Sequence, residues 1–226
     1  MNSKVVRIVD EAPDIKTFVL RPLKGFKYLP GQWMYVSTAK GSDRRQFSIS
    51  SAPTEKDISF TTKFTGTEFK EKLWQLGEGD NLEIEGAFGN FCLNKPMFGP
   101  QLFLCGGMGV TPFRSIYRYL FDTNATNDIV LLYSNRNKSD TVFEKEFRMI
   151  AEKQTNLKVV FTLTDETERY FESGRIDSSL MKKVCPDFPN RQWWVCGSPA
   201  FVDGMIELAA KLKITKTIKS EDYPGY

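Results

Sequence analysis

Two strand–turn–helix junctions hold the residues best placed to do chemistry. In Leu102-Phe-Leu-Cys-Gly-Gly-Met-Gly-Val-Thr-Pro-Phe113 an apolar run ends in a glycine turn, and Pro112 stands near the start of the next helix. Glycines there let backbone N–H groups approach a phosphate or a flat ring, and a helix start favours an anion. The spacing is not Gly-x-Gly-x-x-Gly, so a tight βα turn explains this stretch about as well when it is taken alone. Trp194-Val-Cys-Gly-Ser-Pro199 repeats the arrangement and leaves Cys196 at a strand's carboxyl end, with a buried thiol as the plain alternative. Arg45-Gln-Phe-Ser-Ile-Ser-Ser51, after Pro30-Gly31-Gln32, alternates Arg45, Phe47 and Ile49 against Gln46, Ser48 and Ser50. Alone it is an amphipathic strand with a surface arginine. Gly66-Thr67 before Glu68 is an ordinary helix cap, or a hydroxyl and amides that meet a phosphate. Gly86-Ala-Phe-Gly89 is a turn signal, and Glu221-Asp-Tyr-Pro-Gly-Tyr226 is by default a frayed end.

Composition narrows the chemistry further. The 226 residues contain no histidine, which excludes Ser-His-Asp and Cys-His pairs, histidine acid/base work, histidine-held haem and most zinc sites. Cysteines stand at 92, 105, 185 and 196 in apolar company without a Cys-x-x-Cys, so zinc ribbons, thioredoxin-type pairs and plant-type iron–sulfur loops are unsupported. No metal site is expected. The balance of 31 basic and 28 acidic residues, without a basic run, speaks against nucleic acid. With no apolar run of 18 residues and no cleavable leader pattern, no membrane insertion is expected and the location is expected to be cytoplasmic.

These residues need elements to position them. Strands are expected at Lys4–Val9, Lys16–Arg21, Met34–Thr38, Arg45–Ser51, Ile58–Phe64 and Asn81–Glu85, with one helix at Glu68–Leu76. Turn clusters such as Lys40-Gly-Ser-Asp43 separate them, and six closely spaced strands point to a small antiparallel barrel. The rhythm changes at Lys95-Pro-Met-Phe-Gly-Pro100. Beyond it, strands Leu102–Cys105, Ile129–Ser134, Lys158–Leu163, Trp193–Cys196 and Thr215–Ser220 alternate with helices Pro112–Phe121, Val142–Lys153, Ser178–Lys183 and Ala200–Leu212. Such alternation makes βαβ units on a parallel sheet that binds ligands outside the strands' carboxyl ends. The fold class is therefore β plus α/β: an N-terminal six-stranded antiparallel β-barrel over residues 1–97, then a Rossmann-like parallel α/β domain over 98–226.

The ordered set Pro-Gly-Gln, Arg-x-Phe-Ser, Gly-Thr, Gly-x-Phe-Gly, Gly-Gly-x-Gly-x-Thr-Pro, Cys-Gly-x-Pro and Glu-x-Tyr resembles the ferredoxin–NADP reductase superfamily across essentially the whole chain. In length and tail the chain is similar to compact bacterial flavoprotein reductases without a fused globin or iron–sulfur domain. The resemblance implies that the barrel holds FAD and the α/β domain holds NAD(P). It assigns Arg45 and Thr67 to the FAD pyrophosphate, Ser48 to flavin N5 and Phe47, where the family usually has Tyr, to the flavin's side. Gln46, Lys63 and Gly66 join the flavin set. Gly106, Gly107, Gly109, Thr111 and Pro112 match the nicotinamide-nucleotide turn, with Ser134, Arg136, Asp165 and Gly197 along the nucleotide. Cys196 falls beside nicotinamide C4, Glu221 near the flavin, and Tyr223 on the isoalloxazine, a role for which Tyr226 competes. Ser48, Cys196, Glu221 and Tyr223 are the implied catalytic group. Ser198-Pro199 departs from the Pro-Pro or Pro-x common in the family and implies a modest local change.

The implied activity is an FAD-dependent NAD(P)H reductase that feeds single electrons to a separate small carrier, a ferredoxin or an oxygenase component. Thr162-Leu-Thr-Asp165 stands where NADPH-specific relatives place Ser-Arg, so NADH is expected over NADPH, with Arg136, Lys138 and Arg169 near enough in sequence to rescue a 2′-phosphate. A monomer is expected. Two other functions fit the same residues: a free-flavin reductase of the same fold, and a non-catalytic nucleotide-binding subunit of a larger redox complex.

Overall fold

The computed structural model describes residues 1–38 and 43–223. The chain forms two compact units, and neither is a single continuous stretch. One comprises Met1–Asn94 with Thr111–Asp122; the other comprises Lys95–Val110 and the chain from Thr123 onward.

The first unit is built from β1 (Asn2–Ala12), β2 (Ile15–Leu20), β3 (Trp33–Ser37), β4 (Arg44–Ser48), β5 (Ile58–Lys63), α1 (Glu68–Trp74) and β6 (Asn81–Phe88). The strands run antiparallel in the order β4-β3-β6-β1-β2-β5. Period-two alternation sends Phe18, Leu20, Met34, Val36, Phe47, Phe60, Leu82 and Ile84 into one core, where Phe69 and Leu73 of α1 join them. The sheet curls until its ends meet: the Phe47 and Phe60 rings of β4 and β5 lie 4.9 Å apart. Beyond Ser48 the chain leaves the β3 ladder, because the Ser50 amide turns to the Ser59 carbonyl at 2.8 Å. The strand expected to reach Ser51 therefore stops at Ser48. The helix α2 (Val110–Asp122) completes this unit from Thr111 onward. Its Ser115 hydroxyl donates to the Ser51 carbonyl at 2.6 Å, and Arg114 forks onto Glu55.

The second unit contains β7 (Gln101–Gly106), β8 (Ile129–Asn135), α3 (Glu144–Lys153), β9 (Leu157–Leu163), β10 (Glu172–Ser173), α4 (Ser178–Val184), β11 (Gln192–Gly197), α5 (Pro199–Lys211) and β12 (Lys219–Asp222). All neighbours are parallel, in the order β10-β9-β8-β7-β11-β12. Leu102, Leu104, Val130, Leu132, Trp193 and Val195 meet α4 and α5 on one face. The barrel-then-parallel-sheet order matches the expected fold class. Here two boundaries shift and one strand is new. The helix expected from Val142 starts at Glu144, since Phe143 takes a left-handed conformation, φ 62, at the cap. The final strand runs Lys219–Asp222 rather than Thr215–Ser220, pairing Glu221 with Cys196. The two-residue β10 had no strand-like run to announce it.

At the amino-terminal edge of this sheet Arg191 is 6% exposed and bonds Asp128 at 3.0 and 3.1 Å, Asp187 at 3.0 Å and the Gln101 carbonyl at 3.2 Å. The Asp187 carboxyl is held below its usual range chiefly by its hydrogen bond from Arg191. This staple sits at the opposite end of the strands from their carboxyl termini. Among the described residues no helix is long and apolar enough to cross a membrane.

Candidate functional site

In the barrel unit, β4 and α1 bring three sequence-predicted positions around one aromatic pair. Phe47 is buried, its ring 6.0 Å from that of Phe69. Arg45, exposed two residues earlier, lays its guanidinium 5.6 Å from the Phe69 ring centre and pairs with Asp43 at 3.2 Å. Strand alternation thus puts Arg45 and Phe47 on a common face. Thr67 caps α1, its hydroxyl accepting from the Lys70 amide at 3.4 Å. Gly66 sits at φ +68, a conformation side chains resist, and a Cβ there would meet nothing within 4 Å. Gln46 is exposed opposite Tyr35, Ser48 is buried opposite Trp33, and Lys63 at the end of β5 pairs with Asp14 at 3.2 Å. Thr111 and Pro112 are buried in the first turn of α2.

Lys70 had no sequence signal, being a lysine in a short charged helix. It is 7% exposed, donates to the Thr62 hydroxyl and lies 4.7 Å from the centre of the Phe47 ring. Burial pulls its pKa down to about 7.

In the second unit the glycines work in two ways. Gly107, at φ +52, has open space where a Cβ would stand. Gly109 instead presses on β11: a Cβ there would come within 2.2 Å of the Cys196 carbonyl oxygen. Gly106 and Gly197 would each collide with the Phe201 ring, at 2.7 and 2.8 Å. The turn after β7 and the turn after β11 are therefore locked together, backbone against backbone.

Cys196, Glu221 and Tyr223 assemble beside that lock. Cys196 is fully buried and in register with Glu221 across β11 and β12. The Tyr223 hydroxyl donates to the Glu221 carboxylate at 2.6 Å, and its amide donates to the Gly197 carbonyl at 3.1 Å. The thiol of Cys196 is pushed well above its usual range by burial first and by the Glu221 carboxylate second, while Tyr223 opposes the shift. Burial likewise raises Glu221. The tail is thus docked as far as Tyr223; Tyr226 lies outside the described residues.

Along the sheet, Ser134 stands level with Gly106. The ends of β8 and β9 are tied by the Asp165 amide to the Arg136 carbonyl at 3.1 Å and the Thr164 amide to the Asn135 carbonyl at 3.0 Å. Arg136 and Asp165 are exposed there, and the Thr164 hydroxyl donates to the Asp165 carboxylate at 2.8 Å. Asn135 was not singled out by the sequence, although an amide closing the apolar run Ile129-Val-Leu-Leu-Tyr133 was a legible signal.

Parts of the chain, and its fold, are similar to known proteins. Residues 103–207 match the model of the oxidoreductase NAD-binding domain. The glycine betaine monooxygenase reductase subunit of Pseudomonas aeruginosa is 28% identical over 220 residues, covering 91% of this chain and 59% of that protein. The ferredoxin–NAD(P)+ reductase component of the naphthalene 1,2-dioxygenase/salicylate 5-hydroxylase systems of a Ralstonia species is 28% identical, covering 92% and 64%. Among solved structures, Amycolatopsis cytochrome P450 reductase GcoB superposes with a TM-score of 0.86 at 22% identity, over 98% of this chain and 69% of that one. A ferredoxin NADP+ reductase from Neisseria gonorrhoeae, with bound FAD and NADP, superposes with a TM-score of 0.84 at 18% identity, covering 98% of both chains.

Over residues 103–207 the chain is similar to the oxidoreductase NAD-binding domain, and its fold is like that of the Neisseria gonorrhoeae ferredoxin NADP+ reductase. It spans about three fifths of the length of the first curated relatives it matches.

Proposed function

We propose that the chain is an FAD-dependent NAD(P)H reductase that delivers electrons to a separate electron carrier or oxygenase component. The observation that carries this reading is the cluster of Cys196, Glu221 and Tyr223 against the glycine turn that Gly109 locks to β11. The donor set fits the cofactors. On the barrel, a guanidinium, a capping hydroxyl and an unobstructed glycine (Arg45, Thr67, Gly66) suit a diphosphate. On the parallel sheet, Gly107 leaves room for a phosphate to approach backbone at the strands' carboxyl ends.

When bound, FAD supplies a two-electron acceptor that can release electrons one at a time, and the protein's work is orientation and exclusion of water. Arg45 and Thr67 hold the pyrophosphate. Buried Ser48 presents a hydroxyl to the flavin. Cys196 shapes the nicotinamide seat, and its raised pKa keeps it a thiol. Glu221, with Tyr223 as its donor, holds or moves a proton at its carboxyl group. No histidine is needed.

The reading is tested by anaerobic spectra of the purified flavoprotein on addition of NADH and of NADPH, followed by a screen of ferredoxins and oxygenase components as acceptors. Rapid bleaching of a flavin retained through dialysis supports it. A colourless protein that reduces added flavin would make the chain a free-flavin reductase, and a bound flavin that neither nucleotide bleaches would make it a non-catalytic subunit.

A further inference from the structure

Asn135 closes β8, a strand whose other residues are almost all apolar, and it is 6% exposed. Among the described residues, neither its side-chain nitrogen Nδ2 nor its side-chain oxygen Oδ1 has a hydrogen-bond partner, and the same is true of the Tyr133 hydroxyl two residues earlier. Alternation puts both on one face of the strand. The Asn135 side chain and the Val142 backbone lie within reach of the Tyr133 hydroxyl and oppose the rise that burial imposes on its pKa. The position is fixed: the backbone carbonyl of Asn135 accepts from the Thr164 amide at 3.0 Å. It lies one residue beyond the level at which Ser134 pairs with Gly106, the start of the glycine turn. Buried amides are rarely left with both ends open, and fold stability alone would favour an aliphatic residue here.

We propose that the Asn135 carboxamide is a nucleotide-binding group that donates to and accepts from a ribose hydroxyl of the nicotinamide dinucleotide. This rests on the reductase reading. The choice of ligand group follows from the chemistry. A carboxamide offers a donor and an acceptor, and a hydroxyl can answer both, whereas a phosphate oxygen would satisfy the nitrogen and leave the carbonyl facing negative charge. A ribose is also the group that flanks a diphosphate seated on the adjacent glycine turn. Asn135 acts as a binding and positioning residue and takes no part in hydride transfer.

The test uses the oxidised FAD-loaded protein, titrated calorimetrically with NAD+ and with ADP-ribose, alongside thermal melts without nucleotide. Asn135→Leu should weaken NAD+ at least tenfold, about 1.4 kcal/mol, while raising the melting temperature by about 2–4 °C. Opposite signs in the two readouts are the signature of a group kept for a ligand. Asn135→Val is the second variant should Leu not fold. Affinity within twofold of wild type would overturn the inference. A lower melting temperature with unchanged affinity would also overturn it and assign Asn135 to internal structure. Wild-type protein that binds neither nucleotide would overturn the reductase reading itself, whereas wild-type binding with indifferent variants removes only Asn135.

Discussion

Arg45 keeps its guanidinium half exposed above the Phe69 ring, with Asp43 as a partner at 3.2 Å. A fork so placed can exchange a carboxylate for a pyrophosphate. Losing a charge-assisted contact to a phosphate costs about 1.5–3 kcal/mol, so Arg45→Ala should weaken FAD retention roughly ten- to a hundredfold. Released cofactor identified as FMN, or a variant that holds FAD normally, would remove Arg45 from this role. Cys196 poses the opposite problem, a residue whose reactivity is suppressed. Burial and the Glu221 carboxylate hold its thiol protonated, which argues for contact and shape rather than nucleophilic attack. Cys196→Ser should preserve fold and FAD and slow flavin reduction by NADH in stopped flow; an unchanged rate would exclude it from the hydride path. Both residues were singled out from their motifs. Lys70 gave no signal, because burial is what makes an ordinary lysine unusual, and Asn135 was signalled only by its place after an apolar run.

At the level of elements, α1 shows what a seven-residue helix can bury: Phe69, Lys70 and Leu73. The ammonium is costly there. With a folded pKa near 7 against an ordinary value of 10.5, the unfolded chain binds the extra proton between those limits. Stability must then rise with pH from about 7 to 10.5, by at most about 1.4 kcal/mol per pH unit. Lys70→Met should flatten that rise and stabilise the protein at pH 7, as measured by urea unfolding at pH 7 and 9.5; an unchanged slope would show that Lys70 stays charged. The β8 and β9 ends carry a second consequence. Two backbone hydrogen bonds hold exposed Arg136 and Asp165 side by side at the carboxyl end of the sheet, where the proposed reductase would meet the 2′-phosphate of NADPH. Asp165 would repel that phosphate, so NADH should be the better substrate and Asp165→Ala should improve kcat/KM for NADPH about tenfold, about 1.4 kcal/mol. A wild-type preference for NADPH would transfer control to Arg136. Element order was readable because β-branched alternation and βα punctuation rarely mislead over long runs. The ends were less so: β4 stops when an amide changes partner, and β12 exists because the tail pairs with β11.

On the scale of the whole molecule, the composition shift at Lys95–Pro100 separates the rhythms of the chain, but the compact units are not the stretches on either side of it. A helix after the glycine turn, α2, completes the barrel unit. It does so through contacts no local pattern announces. Arg114 reaches the Ser50 carbonyl at 3.0 Å and forks onto Glu55, Ser115 bonds Ser51 and Phe113 packs edge-on to Phe91 at 5.5 Å. Gly31 lies so close beneath that a Cβ there would stand 3.2 Å from Ile116. A fragment of residues 1–97 would leave the Glu55 carboxylate and the Ser50 and Ser51 carbonyls without these donors, and would uncover Phe91. A fragment of residues 1–122 would keep all of them. Burying Phe113 alone is worth about 1.5–3 kcal/mol, and the charged fork adds about 1.5–3 kcal/mol, a large share of the ~5–15 kcal/mol that holds a domain together. The longer fragment should therefore keep its barrel and retain yellow FAD even with β7 stripped of its sheet partners, while the shorter one should lose flavin on dialysis. A 1–97 fragment that melts as sharply as 1–122 and keeps its flavin would show that the barrel is complete without α2.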